Sequence, residues 1–280
     1  MKLNFKNFQL DFLKKTYIMG IVNVTPDSFY DGGRYFSVQK AIDHAMRLID
    51  EGADIIDIGG ESTRPNAEPV SEEEELKRVI PVIESISSRV SIPISIDTYK
   101  ARVAEEAVKA GATIINDISG LKFDSQMAYV ASKYDVAIVL MHIKGTPRDM
   151  QINPTYNALI PEITEYLRNS IIIAKNAGID EDKIIIDPGI GFGKLPEHNL
   201  QIIKNLKDFT LLGKPILIGP SRKSFIGKVL NANSPDERLE GTASAVAISV
   251  INGANIVRVH DVAYMAKVVK MADAIKFGLS

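Results

Sequence analysis

The chain has 280 residues, 45% apolar and 24% charged, which suits one large domain or two ordinary ones with a core of useful size. A net charge of −2, with a pI near 6.1, supplies no basic field to hold nucleic acid or an anionic membrane. The absence of cysteine excludes disulfides, thiolate metal sites and cysteine nucleophiles.

Residues 1–15 mix Lys, Asn and Phe without an unbroken apolar stretch, so they do not read as a signal peptide. No run approaches the roughly 20 apolar residues that span a bilayer, and a cytoplasmic protein is the simplest expectation. Short β-branched runs then recur at 17–22, 55–58, 94–96, 114–115, 136–140, 184–186, 216–218 and 256–259. Between and after them lie segments of helical period at 38–51, 72–87, 101–110, 126–133, 160–177, 199–208, 241–252 and 262–277. Gly52, Gly111, Gly178 and Gly253 stand where left-handed helix caps are wanted, each a few residues before a strand.

Strand followed by helix, repeated eight times, predicts an α/β fold: a single (β/α)8 TIM barrel over residues 1–280. Residues 1–16 form an N-terminal extension that caps its bottom. The near-continuous apolar strands fit a parallel sheet covered on both faces; a doubly wound open sheet is the rival. The acidic run 72–75 follows Ser71 at a helix start, where a hydroxyl cap and the helix dipole explain it. His44, in mid-helix, reads as a surface or half-buried residue without chemistry.

In such a barrel the site lies at the C-terminal ends of the strands. Polar groups gather there: Asn23, then Asp57 and the loop 59–65, then Asp97, Asn116-Asp117, Met141-His142, Asp187, the run 219–223, and Arg258 with His260. One such residue is as readily a helix cap, but all eight strands delivering polar groups to one rim predicts a single concave site. Arg258, His260, Lys223 and Arg64 bring cationic groups, the first three after strands seven and eight, where barrels commonly bind phosphate. A short helix within 221–229 could add its N-terminus. Neither Gly193-Lys194 nor Gly227-Lys228 completes a Walker motif.

Asp97, Asp187 and the amide of Asn116 form an opposite set, suited to a ring with adjacent N–H donors such as a 2-amino-4-oxo-pyrimidine. They could instead ligate a metal. Against that, His142 and His260 are isolated, and a hard cation such as Mg2+ carried by a diphosphate fits better. Lys223 could form a Schiff base in an aldolase or simply contact a ligand oxygen, and its spacing does not decide.

Several motifs resemble the signatures of dihydropteroate synthases. They are Asn23-Val24-Thr25-Pro26-Asp27-Ser28-Phe29, Gly59-Gly60-Glu61-Ser62-Thr63-Arg64-Pro65, Ile96-Asp97-Thr98 and Ile115-Asn116-Asp117-Ile118-Ser119-Gly120. Asp187-Pro188-Gly189-Ile190-Gly191-Phe192-Gly193-Lys194, Ser221-Arg222-Lys223-Ser224-Phe225 and Arg258-Val259-His260-Asp261-Val262 complete the set, in order, from about Tyr17 to the end. Asn66, where the family often has glycine, and Ile143-Lys144 depart from the pattern.

The resemblance implies that Asp97, Asn116, Asp187 and Lys223 hold a pterin, with Met141, Phe192 and Gly219 along the pocket. It implies that Arg258 and His260 bind the diphosphate, assisted by Thr63 and Arg64, and that Asn23 contacts its Mg2+. Ser221, Phe29, Thr63, Pro65, Phe192 and the stem of Lys223 would line a p-aminobenzoate site. Asp97, Lys223, Arg258 and His260 would be the catalytic set, joining the pterin diphosphate to p-aminobenzoate in an enzyme expected to form a homodimer. A pterin-dependent methyltransferase or a non-catalytic pterin-binding paralogue is the alternative.

Overall fold

Isoleucine and valine dominate the eight recurring runs, and branched side chains at that density favour extended backbone buried on both faces. A computed structural model, which describes residues 1–25, 34–63 and 67–279, shows what they build. Lys2–Phe5 (β1) and Phe8–Asp11 (β2) pair as an antiparallel hairpin. The parallel strands follow: β3 (Tyr17–Asn23), β4 (Ile55–Gly59), β5 (Ile94–Asp97), β6 (Ile114–Asp117), β7 (Ala137–Met141), β8 (Ile184–Asp187), β9 (Leu217–Ile218) and β10 (Ile256–Val259). Their order is β8-β7-β6-β5-β4-β3-β10-β9, and a parallel bridge between Ile186 and Ile216 joins the two ends. The molecule is the expected (β/α)8 barrel.

The helices are α1 (Arg34–Asp50), α2 (Glu72–Ser87), α3 (Ala101–Ala110), α4 (Met127–Tyr134), α5 (Leu159–Asn176), α6 (Pro196–Lys204), α7 (Ser224–Leu230), α8 (Leu239–Ile251) and α9 (Val262–Phe277). No helix among the described residues is long and apolar enough to cross a membrane. The helix expected at 199–208 divides. Pro196 starts α6, with its fixed φ suited to a first turn. Leu206–Leu212 then winds as a 3-10 helix whose Leu206 and Phe209 bury together, the spacing of three that this tighter coil aligns. His44 is half-buried beside Arg47, without a site around it.

Side chains alternate between barrel lumen and helical layer along every strand. The lower lumen is apolar: Met19, Ile55, Ile114, Val139, Ile185, Leu217 and Ile256 pack with Leu3, Phe5, Leu10 and Phe12 of the hairpin. Residues 1–16 thus plug the bottom, and Thr16 clasps α9 by donating its N–H and Oγ1–H to Asp273, at 2.8 and 2.7 Å. The same parity turns Asn23, Asp57, Gly59, Asp97, Asn116, Met141, Asp187, Gly219, Arg258 and His260 into the upper lumen. The intervening residues pack beneath the helices: Ile56, Ile58, Ile96, Ile115, Ile138, Leu140 and Ile186 belong to that layer.

Candidate active site

Strand parity therefore makes the floor of the upper lumen, and its side chains are interlocked. Arg258 donates from Nε to Asp57 Oδ2 at 2.5 Å and from Nη2 to Asp97 Oδ2 at 2.6 Å. Asn116 donates to the same Asp57 oxygen at 3.2 Å. Asp57 is fully buried, and the Oδ1 atoms of Asp57 and Asp97 are buried with no hydrogen-bond donor among the described residues. Burial pushes the Asp97 carboxyl above its ordinary range, with Arg258 opposing the shift. The guanidinium stays firmly charged: burial works against the charge, but Asp57 and Asp97 more than offset it. Arg258 thus lies among the acids, where the sequence suggested a cationic rim separate from a carboxylate floor.

Asp187, 6% exposed, accepts the Gly189 N–H at 2.6 Å, and burial raises its pKa to about 6. Gly189 has φ +73°, and an added Cβ would lie 1.9 Å from the His142 carbonyl oxygen, so only glycine lets this loop pass. Lys194, buried, reaches back to His142 Nδ1 and the Phe192 carbonyl, each at 2.9 Å. Burial drives the Lys194 pKa down strongly and holds His142 near 2, so His142 is a neutral acceptor. These contacts hold the Gly-rich loop beside an apolar wall of Ile118, Met141, Ile143, Met150 and Phe192. Lys223 places Nζ 4.2 Å from the centre of the Phe192 ring, and its stem passes over Gly191.

After β9 and β10, Ser221 Oγ lies 3.0 Å from His260 Nδ1 and accepts the His260 backbone N–H at 3.2 Å. Burial first, then the Arg258 charge, lowers His260 to about 3. His260 is accordingly neutral in this site, with one ring N–H, where the sequence suggested a cation; a desolvated imidazole beside a guanidinium does not take up a second ring proton. Arg222 grips Asp261 with two nitrogens, at 2.9 and 2.6 Å, and ties the β9 and β10 loops together. The short helix expected after strand seven is α7, with Lys223 at its N-cap.

The structure brings Asp97, Asn116 and Arg258 together, Met141 with Phe192 and Lys223, and Ser221 with His260. Asn23 and Gly59 pair in register at the ends of β3 and β4. Thr63 is half-buried on the loop after β4. Phe29, Arg64 and Pro65 lie outside the described residues, as does Asn66. Asp117 turns away from the lumen and accepts from Ser119 N–H, Ser119 Oγ and Leu121 N–H, a loop-building role.

Two features escaped the sequence reading. Asp57 was visible as a strand-end polar residue but not as the partner of Arg258. The second is a buried cluster: Lys100 donates to Glu75 Oε2 and the Val70 carbonyl, both at 2.6 Å, and to Glu61, which also accepts from Tyr99 at 2.7 Å. Glu75 belongs to the acidic run that capping explained, yet it is 1% exposed and burial raises its pKa.

The chain between residues 19 and 260 matches the family of pterin-binding enzymes. The chain belongs to that family. The dihydropteroate synthase of Bacillus subtilis is 54% identical over 95% of this chain and 90% of its own length. A dihydropteroate synthase from Clostridium difficile, crystallised in the presence of pteroic acid, superposes with a TM-score of 0.90 at 48% identity, covering 95% of this chain and 98% of that one. The Xanthomonas albilineans dihydropteroate synthase with 4-aminobenzoic acid gives a TM-score of 0.92 at 42% identity, over 98% and 97%. The interlocked floor of this chain lies at the C-terminal ends of the strands, where barrels carry their sites.

Proposed function

We propose that the chain condenses 6-hydroxymethyl-7,8-dihydropterin diphosphate with p-aminobenzoate, giving 7,8-dihydropteroate and diphosphate. The observation that carries this reading is the buried Asp97 Oδ1, which has no donor among the described residues. A pterin edge supplies the missing N–H donors. Asp97, Asn116, Asp187 and Lys223 hold the ring, against Met141 and Phe192 and over the side-chain-free Gly219. Ser221, Thr63, Phe192 and the stem of Lys223, with Phe29 and Pro65, receive p-aminobenzoate.

Asn23 is one inward oxygen donor, and no group of three or more His, Asp or Glu among the described residues could hold a metal ion. That donor set fits a hard cation brought largely by the diphosphate. Mg2+ bound there would neutralise charge on the leaving group. Arg258 and the neutral His260, as hydrogen-bond donors, meet the departing oxygen with Thr63 and Arg64. The methylene C–O bond breaks with its electron pair leaving on diphosphate. The aniline nitrogen forms the new C–N bond and loses a proton to solvent or to the released diphosphate. Positioning does most of the work, because the nucleophile is already neutral.

Supplying both substrates with Mg2+ should give dihydropteroate and diphosphate in equal amounts. A chain that binds pterin but forms no dihydropteroate would be a non-catalytic pterin-binding paralogue or a pterin-dependent methyltransferase instead.

Exposed Ile248, Ile251, Tyr264, Met271 and Ile275 share one apolar face of α8 and α9. That face supports pairing with a second copy of the chain. Sedimentation should give a dimer for the native chain and a monomer for Met271→Asp.

A further inference from the structure

Along β4 the lumen-facing positions are Ile55, Asp57 and Gly59. Ile55 belongs to the apolar plug, and Gly59 carries no side chain. Asp57 thus places a fully buried carboxylate between the apolar plug and the pocket. An acid in that place is unfavourable unless something charged and hydrogen-bonding meets it. Its Oδ2 takes Arg258 Nε at 2.5 Å and Asn116 Nδ2 at 3.2 Å, and both donors are residues of the site.

We infer that Asp57 is a positioning residue of this site, fixing the guanidinium of Arg258 and the amide of Asn116 so that both face the pterin correctly. This rests on the pterin-site reading given above. Two physical consequences support it. Asn116, by donating Nδ2 to Asp57, is committed to presenting its carbonyl oxygen elsewhere; the flipped amide would set oxygen against a carboxylate. Arg258 is held at Nε by Asp57 and at Nη2 by Asp97. A ligand edge that donates to Asp97 competes for the second contact but not for the first. Asp57 therefore keeps the guanidinium seated at the moment Asp97 turns to the ligand.

The test is a double-mutant cycle on pterin binding, read by calorimetry on folded protein. Asp57→Asn keeps volume and an acceptor oxygen but removes the charge. It should weaken pterin binding by about tenfold or more, as for the loss of a buried charge partner, while the KM for p-aminobenzoate moves by less than about twofold. In an Arg258→Ala background the same substitution should cost less than about threefold, because the charged partner is gone and the substituted amide oxygen can still accept from Asn116. Equal losses in the two backgrounds, or unchanged pterin affinity, would overturn the proposal and leave Asp57 a structural residue. A crystal structure of the unaltered chain with pterin gives an answer even if Asp57→Asn fails to fold. Arg258 Nε and Asn116 Nδ2 should both remain on Asp57, and loss of either contact overturns the assignment. An unaltered chain that binds no pterin would sink the site reading itself, and this proposal with it.

Discussion

Lys100 Nζ stands 2.6 Å from Glu75 Oε2, and the acceptor is almost fully buried. The same ammonium meets Glu61. Lys100 lies three residues beyond Asp97, and Glu61 two residues before Thr63. One cation therefore ties the loop after β5 to the loop after β4, which is proposed to receive p-aminobenzoate. Lys100→Met leaves the buried Glu75 and the part-buried Glu61 without their counter-charge, a change that typically removes about 3–5 kcal/mol of stability. Urea unfolding should show that loss, and the KM for p-aminobenzoate should rise more than that for the pterin substrate. A variant with native stability and native KM would show that the cluster carries no load.

Arg258→Ala should weaken both ligands rather than diphosphate alone. Removing the guanidinium leaves Asp57 and Asp97 facing one another without a counter-charge, and the Asp97 carboxyl then rises further. The expected result is a stability loss of about 3–5 kcal/mol with reduced affinity for inorganic diphosphate and for free pterin. Calorimetry with each ligand separately checks it; undiminished pterin affinity would detach Arg258 from the floor.

Asp187 makes a pH-dependent contribution. Its folded-state pKa, about 6, exceeds the ordinary 3.8, so protons bind more tightly to the folded chain. The associated stability is fully present below pH 4 and is lost as pH rises through 6. Asp187→Asn should abolish this loss, so the native chain should fall relative to the variant by roughly 3 kcal/mol between pH 4 and 7. Pterin affinity should run oppositely in the native chain, strengthening as pH rises through 6 and the carboxylate becomes a full acceptor. Parallel thermal melts and titrations across this range decide the matter.

Gly189→Ala should not yield a native site. The added methyl meets the His142 carbonyl at 1.9 Å, and that carbonyl belongs to backbone that cannot swing aside. Soluble protein with native pterin affinity would mean that the loop is free to re-route.

The fold was legible because branched runs, helical period and glycine caps all point to the same repeat, and the eight barrel strands fell within a few residues of expectation, although the helix expected at 199–208 divides. The site was legible as far as strand ends go, since parity alone sends Asp97, Asn116, Asp187 and Arg258 inward. What sequence order does not carry is distance across the lumen. Arg258 and Asp57 are 201 residues apart, so their pairing was hidden, and with it the merging of rim and floor. The neutrality of His260 was hidden for the same reason, because it depends on burial beside Arg258. Capping sufficed to explain Glu75, yet the helix turns that one residue of its run inward.

In the barrel β3, the first of the parallel strands, pairs with β10, the last of them. On a ribosome the Tyr17–Asn23 strand emerges early and has one hydrogen-bonding edge without its partner until Ile256–Val259 has been made. That edge presents unpaired N–H and C=O groups on a strand of apolar side chains, the kind of surface on which chains pair wrongly with one another. The clasp between Thr16 and Asp273 likewise waits for the last helix. A nascent chain arrested before β10 would therefore be expected to hold chaperones far longer than one arrested just after it, a difference set by topology and independent of anything in the active site.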